Sequence, residues 1–125
     1  MPQDQAKEKT ILVMLNDLNT CELLSQAISQ QSSYKVLFVK DEHWAFEVLK
    51  VVKPSLFVLI DQLAKANGLK LYDRLRAKIE LELVPSIIVS ANLPQKELAK
   101  RKIVGVREPF DLDDLVEQMK QLVGH

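Results

Sequence analysis

Five consecutive apolar residues, Leu56-Phe57-Val58-Leu59-Ile60, run between Pro54-Ser55 and Asp61 without a polar interruption. A strand with one face in water alternates apolar and polar side chains, so a strand this uniformly apolar has to be covered on both faces. Ile11-Leu12-Val13-Met14-Leu15 and Ile87-Ile88-Val89 have the same character. Strands of this kind belong to parallel sheets with helices on either side.

The intervening segments supply those helices. Asn19 or Thr20 is placed to cap a first helix with Leu23, Leu24, Ala27 and Ile28 as its apolar stripe. Tyr34 to Val39 reads as a second strand, its β-branched and aromatic residues suiting a pleated surface. Asp41 can cap a second helix that buries Trp44, Ala45, Val48, Leu49 and Val52 and stops at Pro54. Trp44 and Phe46 lie two apart, so one of them must face outward, and the core position is assigned to Trp44.

Asn67-Gly68 marks a turn, and Leu69 to Ile79 forms a third helix with Leu71, Tyr72 and Leu75 at helical spacing. Residues 95–100 leave room for only about two turns of a fourth helix. Lys102 to Val106 is the fifth strand; the last helix runs from Asp111 to Val123 and ends near Gly124. Five strands, each followed by a helix, predict a flavodoxin-like (βα)5 doubly wound parallel sheet over residues 10–125, with 1–9 as a flexible tail.

Composition narrows the function. Seventeen basic and seventeen acidic residues cancel, leaving no global field to draw in nucleic acid or an anionic membrane. The lone Cys21 can form no internal disulfide, and no apolar run approaches a membrane span, so a soluble cytoplasmic protein is expected. Three glycines without a G-x-G-x-x-G or P-loop pattern provide no phosphate cradle. No Ser/His/Asp or Cys/His set stands at catalytic spacing, and neither His43 nor His125 has partners at metal spacing. The expectation is a protein that is not an enzyme and binds no metal or cofactor.

From Ile11 onward the chain resembles a response-regulator receiver domain. The residues that carry the likeness are Asp41 and Ala45 in the second helix, then Pro54, Leu63 and Gly68-Leu69 around the third strand. Pro85-Ser86-Ile87-Ile88-Val89-Ser90-Ala91 resembles the fourth strand, and Glu108-Pro109-Phe110 stands where the family has Lys-Pro-Phe. The resemblance implies the receiver topology, with a shortened fourth helix, and a role in two-component signal transduction. It also implies a site. Receivers accept a phosphoryl group on an Asp ending the third strand, hold Mg²⁺ with two acids after the first strand, and pair the phosphate with a Lys.

Carried across, the acid pair falls on Leu15 and Asn16, the acceptor on Ile60 and the Lys on Glu108; only Ser90, the hydroxyl position, is kept. The aromatic switch position in the fifth strand is Gly105. Mg²⁺ requires an octahedron of oxygens, which Leu15 cannot supply and Asn16 supplies only as a neutral amide. Without metal and Lys the charge on a transferring phosphoryl group lacks its stabilisers, and Glu108 would repel it. These substitutions imply a pseudo-receiver, a phosphorylation-independent protein–protein interaction module.

The alternative is a working but displaced site, with Asp61 as acceptor and Asp17 as metal ligand, each one residue late, and Mg²⁺ as cofactor. Alternation of side chains along a strand counts against it, because a one-residue slip changes face. Arg107 is expected to point away from Glu108, and Asp61 is read as a cap for the loop before Gly68. Ser90 is expected to bond nearby backbone. Lys96, Lys100, Arg101, Gly105 and Arg107 form the candidate interaction surface, suited to an acidic protein partner in a signalling pathway. With no helix-turn-helix or aromatic platform, nucleic acid is not the expected partner, and self-association as a homodimer is left open.

Overall fold

The computed structural model describes residues 9–61, 67–80, 83–93 and 95–124. Its elements are β1 (Thr10–Met14), α1 (Leu18–Gln31), β2 (Lys35–Val39), α2 (Glu42–Val51) and β3 (Leu56–Asp61), then α3 (Asn67–Lys78), β4 (Ser86–Ser90), α4 (Gln95–Lys100), β5 (Val104–Arg107) and α5 (Leu112–Val123). All strand pairings are parallel, in the order β2-β1-β3-β4-β5. The doubly wound sheet read from the sequence is the observed one, including the six-residue α4.

Alternation along the strands sorts the core into two layers. Ile11, Val13, Leu15, Leu56, Val58, Ile60, Ile87 and Val89 pack with Leu24 and Ile28 of α1 and Leu115, Val116 and Met119 of α5. Leu12, Phe57, Leu59 and Ile88 pack on the opposite face with Ala45 and Leu49 of α2, Tyr72 and Leu75 of α3 and Leu98 of α4. Each fully buried Leu, Ile or Phe contributes about 1.5–3 kcal/mol, so β1, β3 and β4 dominate the stability of the sheet.

The helix ends show which local signals won. Asp17 caps α1, accepting from the Thr20 amide and hydroxyl, where Asn19 or Thr20 had been expected to cap. The helix starts two or three residues earlier because a carboxylate at that spacing satisfies free amides at the helix start. Asp41 caps α2 through the Trp44 amide at 2.9 Å, and Asp111 caps α5 through the amides of Asp113 and Asp114. Gly124 closes α5 with φ 78°, a left-handed conformation that glycine adopts without a Cβ clash.

Two core assignments are corrected. Leu23 is 54% exposed and Trp44 50%, while Leu24, Ala27, Ile28, Ala45 and Leu49 take the buried positions. Phe46 is half-buried between the ammonium groups of Lys50 and Lys78, 5.2 and 5.1 Å from its ring centre. The ring lies between cations of α2 and α3, while the indole stands out beside His43.

Candidate functional site

In an open α/β sheet, ligands bind beyond the carboxyl ends of the strands, where the strand order reverses. With the order β2-β1-β3-β4-β5 that crevice lies over β1 and β3, at Leu15-Asn16 and Ile60-Asp61. Two of these four residues belong to the core. Leu15 is 4% exposed and Ile60 6%, both in the α1/α5 layer, and the Leu15 amide donates to the Val39 carbonyl at 2.9 Å. Asn16 is exposed.

Strand register separates the remaining candidates. Ile60 is aligned with Val89, whereas Asp61 is aligned with Ser90, and Ser90 with Arg107. Asp61, Ser90 and Arg107 therefore occupy one row across β3, β4 and β5. Leu15 and Ile60 belong to the α1/α5 core layer. Ser90 lines up with the displaced acid rather than with Ile60. The expected role of Asp61 as a cap for the following loop lies outside the described residues.

The polar groups at this edge have local duties. Ser90 is 2% exposed, and its hydroxyl oxygen accepts from the Asn92 amide at 3.1 Å, stabilising the turn after β4. The Ser90 carbonyl accepts from the Glu108 amide at 3.1 Å, which ties the start of the Glu-Pro-Phe segment to β4. Arg107 is exposed, and its Nη1 donates to the Ala91 carbonyl at 3.4 Å. A guanidinium thus does stand beside the Ser90 turn, although Arg107 had been expected to turn away from the site. Asp17, the displaced metal-ligand candidate, is the α1 cap. It also raises the pKa of Cys21, second to burial of the thiol.

Among the described side chains the donor set fits a magnesium site poorly. Leu15 contributes no oxygen, Asn16 a neutral one, and Asp17 a carboxylate committed to Thr20. Among the described residues no group of three or more His, Cys, Asp and Glu is placed to hold a metal ion.

The basic segment around α4 is largely self-compensated. Arg101 grips Asp73 of α3 with two bonds, 2.8 and 2.9 Å, and Glu97 of α4 at 3.1 Å. Lys100 pairs with Glu97 at 3.4 Å. The Arg101 hydrogen bond is the largest cause holding the Glu97 carboxyl below its ordinary range, with Lys100 adding to it, and Asp73 and Glu97 push the Arg101 guanidinium further up. These side chains act mainly as a strap between α3 and α4, and Lys96 and Arg107 are the more available cations of the five-residue surface. A parallel strap joins Arg74 to Glu42 of α2 in a two-pronged pair at 2.8–3.1 Å.

At Gly105 a feature emerges that residue counting could not supply. A Cβ built there would lie 2.7 Å from Leu98 Cδ1 and 3.4 Å from both Leu93 methyls. The space beside β5 is occupied by two leucines from the β4–α4 segment. Shortening of α4 was readable from the sequence; its leucines lying against Gly105 was not.

No family model matches the chain. Among solved structures it is similar to the receiver domain of the Francisella response regulator 1452, with a TM-score of 0.77 and 17% identity over 94% of this chain and 98% of that one. It is similar as well to a response regulator from Thermotoga maritima, with a TM-score of 0.74 and 22% identity over 94% and 99%. A third is the receiver domain of a sensor histidine kinase from Pseudomonas aeruginosa, whose active-site cleft coordinates a magnesium ion; it gives 0.71 and 17% over 94% and 99%. At these identities the likeness establishes the fold, the flavodoxin-like receiver architecture. No helix among the described residues is long and apolar enough to cross a membrane.

Proposed function

We propose that this chain is a pseudo-receiver, a signalling module that works by binding protein partners and does not depend on phosphorylation. One observation carries the reading. Two polar side chains at the strand edge, Asp17 and Ser90, are spent on capping a helix and a turn. Around them the acid-pair and acceptor positions are filled by the core residues Leu15 and Ile60. Glu108 adds negative charge where a transferring phosphoryl group needs a cation.

A test uses the amide NMR spectrum of the chain with Mg²⁺ and beryllium fluoride, a mimic of a bound phosphoryl group. The expected spectrum is unchanged at Asn16, Ser90 and Arg107. Saturable shifts at these three residues would sink the proposal.

One specific observation favours a second reading. The row Asp61, Ser90 and Arg107 aligns an acid, a hydroxyl and a guanidinium across three neighbouring strands. In that reading Asp61 accepts the phosphoryl group, Arg107 supplies the balancing charge, and Asp17 leaves its cap to hold Mg²⁺. Saturable shifts lost in Asp61→Asn would support it.

A further inference from the structure

A groove of about 560 Å³ runs between α3 and α4, lined by Asp73, Arg76, Ala77, Glu97, Lys100 and Arg101. Lys100 and Arg101 belong to the surface expected from the sequence, and Arg76 joins them from α3. All of these side chains except Ala77 are charged at neutral pH, so the groove selects its occupant by charge.

The charge on the two helices is lopsided. α3 carries four basic side chains against one acid, Asp73. Residues 95–102, which are α4 and the turn after it, also carry four against one, Glu97. The chain as a whole is neutral, so this pair of helices concentrates positive charge that the composition conceals. Arg101 takes up both Asp73 and Glu97, and its own side chain is only 20% exposed. The cations turned to solvent are Arg76, which is exposed, and Lys100, 70% exposed. The pair of Lys100 with Glu97 at 3.4 Å is a surface contact of the kind worth little, so a partner can recruit its ammonium group.

The two carboxylates also discriminate between anionic partners. Asp73 and Glu97 remain 41% and 45% exposed. A phosphate backbone brings only acceptors to them. A protein segment can set acids on Arg76 and Lys100 while its amides and hydroxyls donate to Asp73 and Glu97. We infer that the α3–α4 groove docks an acidic segment of a protein partner, with carboxylates on Arg76 and Lys100. This assignment rests on the protein-binding reading above, and adds to it the docking face and the charge of its occupant.

Amide NMR titration with a short glutamate-rich peptide, and with its glutamine counterpart, tests it. Saturable shifts are expected at Arg76, Ala77, Lys100 and Arg101 with the glutamate peptide alone, and they should weaken as salt rises. The double variant Arg76→Glu/Lys100→Glu should lose at least about tenfold in affinity. Lys35→Glu, on β2 at the opposite edge of the sheet from β5, should bind like the parent chain. If the double variant loses its helical circular dichroism, Lys100→Gln takes its place. A single-stranded oligothymidylate should bind more weakly than the peptide. Absence of saturable shifts, shifts confined to other residues, an equal loss in Lys35→Glu or tighter binding of the oligonucleotide would overturn the proposal. Repeating the titration with Mg²⁺ and beryllium fluoride separates the groove from the reading beneath it. Unchanged affinity supports both. Groove binding that appears only with beryllium fluoride supports the groove and contradicts independence from phosphorylation.

Discussion

Leu98 reaches to within 2.7 Å of the point where Gly105 would carry a Cβ, so the two residues are fitted to each other across the α4–β5 contact. Any larger residue at 105 must displace a leucine that is 2% exposed. Gly105→Tyr is expected to destabilise the fold by about 1–3 kcal/mol, the usual cost of overpacking. Adding Leu98→Ala should recover part of that loss by opening space. Urea denaturation of both variants is the check, and additive losses would contradict the fit.

The cap assignment makes a separate prediction. Asp17→Ala should cost about 1 kcal/mol of stability by leaving the Thr20 amide without its partner. The loss should be the same with and without Mg²⁺ in thermal melts. A loss that appears only with Mg²⁺ would point to Asp17 as a metal ligand.

Acid should loosen the straps between α2, α3 and α4. The Arg74 bonds lower the Glu42 carboxyl, and the Arg101 and Lys100 bonds lower that of Glu97, both from an ordinary value of 4.5. A carboxyl lowered in the folded state stabilises fully above its unfolded value and loses that contribution as pH falls through the folded one. Stability should therefore decline as pH drops below about 4.5, and Arg74→Met should flatten part of the decline. The Arg74–Glu42 pair is exposed and the Arg101–Glu97 pair part-buried, so added salt should shrink the effect, more for the first. Thermal melts from pH 6 to pH 3 at low and high salt measure it (range chosen to bracket the carboxyl titration).

Lys102 holds φ at 59°, a left-handed conformation in which a Cβ is crowded, in the turn that leaves α4. Lys102→Gly should relieve about 1 kcal/mol of that strain and raise the melting temperature, against the usual entropic penalty of glycine. A lower melting temperature would show that the Lys102 side chain has a compensating contact.

The fold was legible because each layer of it left a local mark. Uninterrupted apolar strands demanded two helical layers, Asp41 and Asp111 announced helix starts, and Gly124 announced an end. Errors arose where a residue beside a core position was read as buried too. Leu23 and Trp44 had been placed in the same buried stripes as Leu24 and Ala45 but face outward, because helix rotation is set by the whole packed face and not by the largest side chain. The site was harder to read. Counting from Pro54 identified Ile60, but register is fixed by hydrogen bonding between strands distant in sequence, and it aligned Ser90 with Asp61. Compensation of the basic segment was invisible for the same reason, since Asp73 lies 28 residues from Arg101.

The central claim is that the strand edge no longer performs phosphoryl chemistry. Intact-protein mass spectrometry after incubation with Mg²⁺ and a small acyl phosphate tests it most directly. An unmodified mass is expected for the parent chain and for Asp61→Asn alike. One added phosphoryl group on the parent chain, absent from Asp61→Asn, would contradict it and make the row from Asp61 through Ser90 to Arg107 a working site.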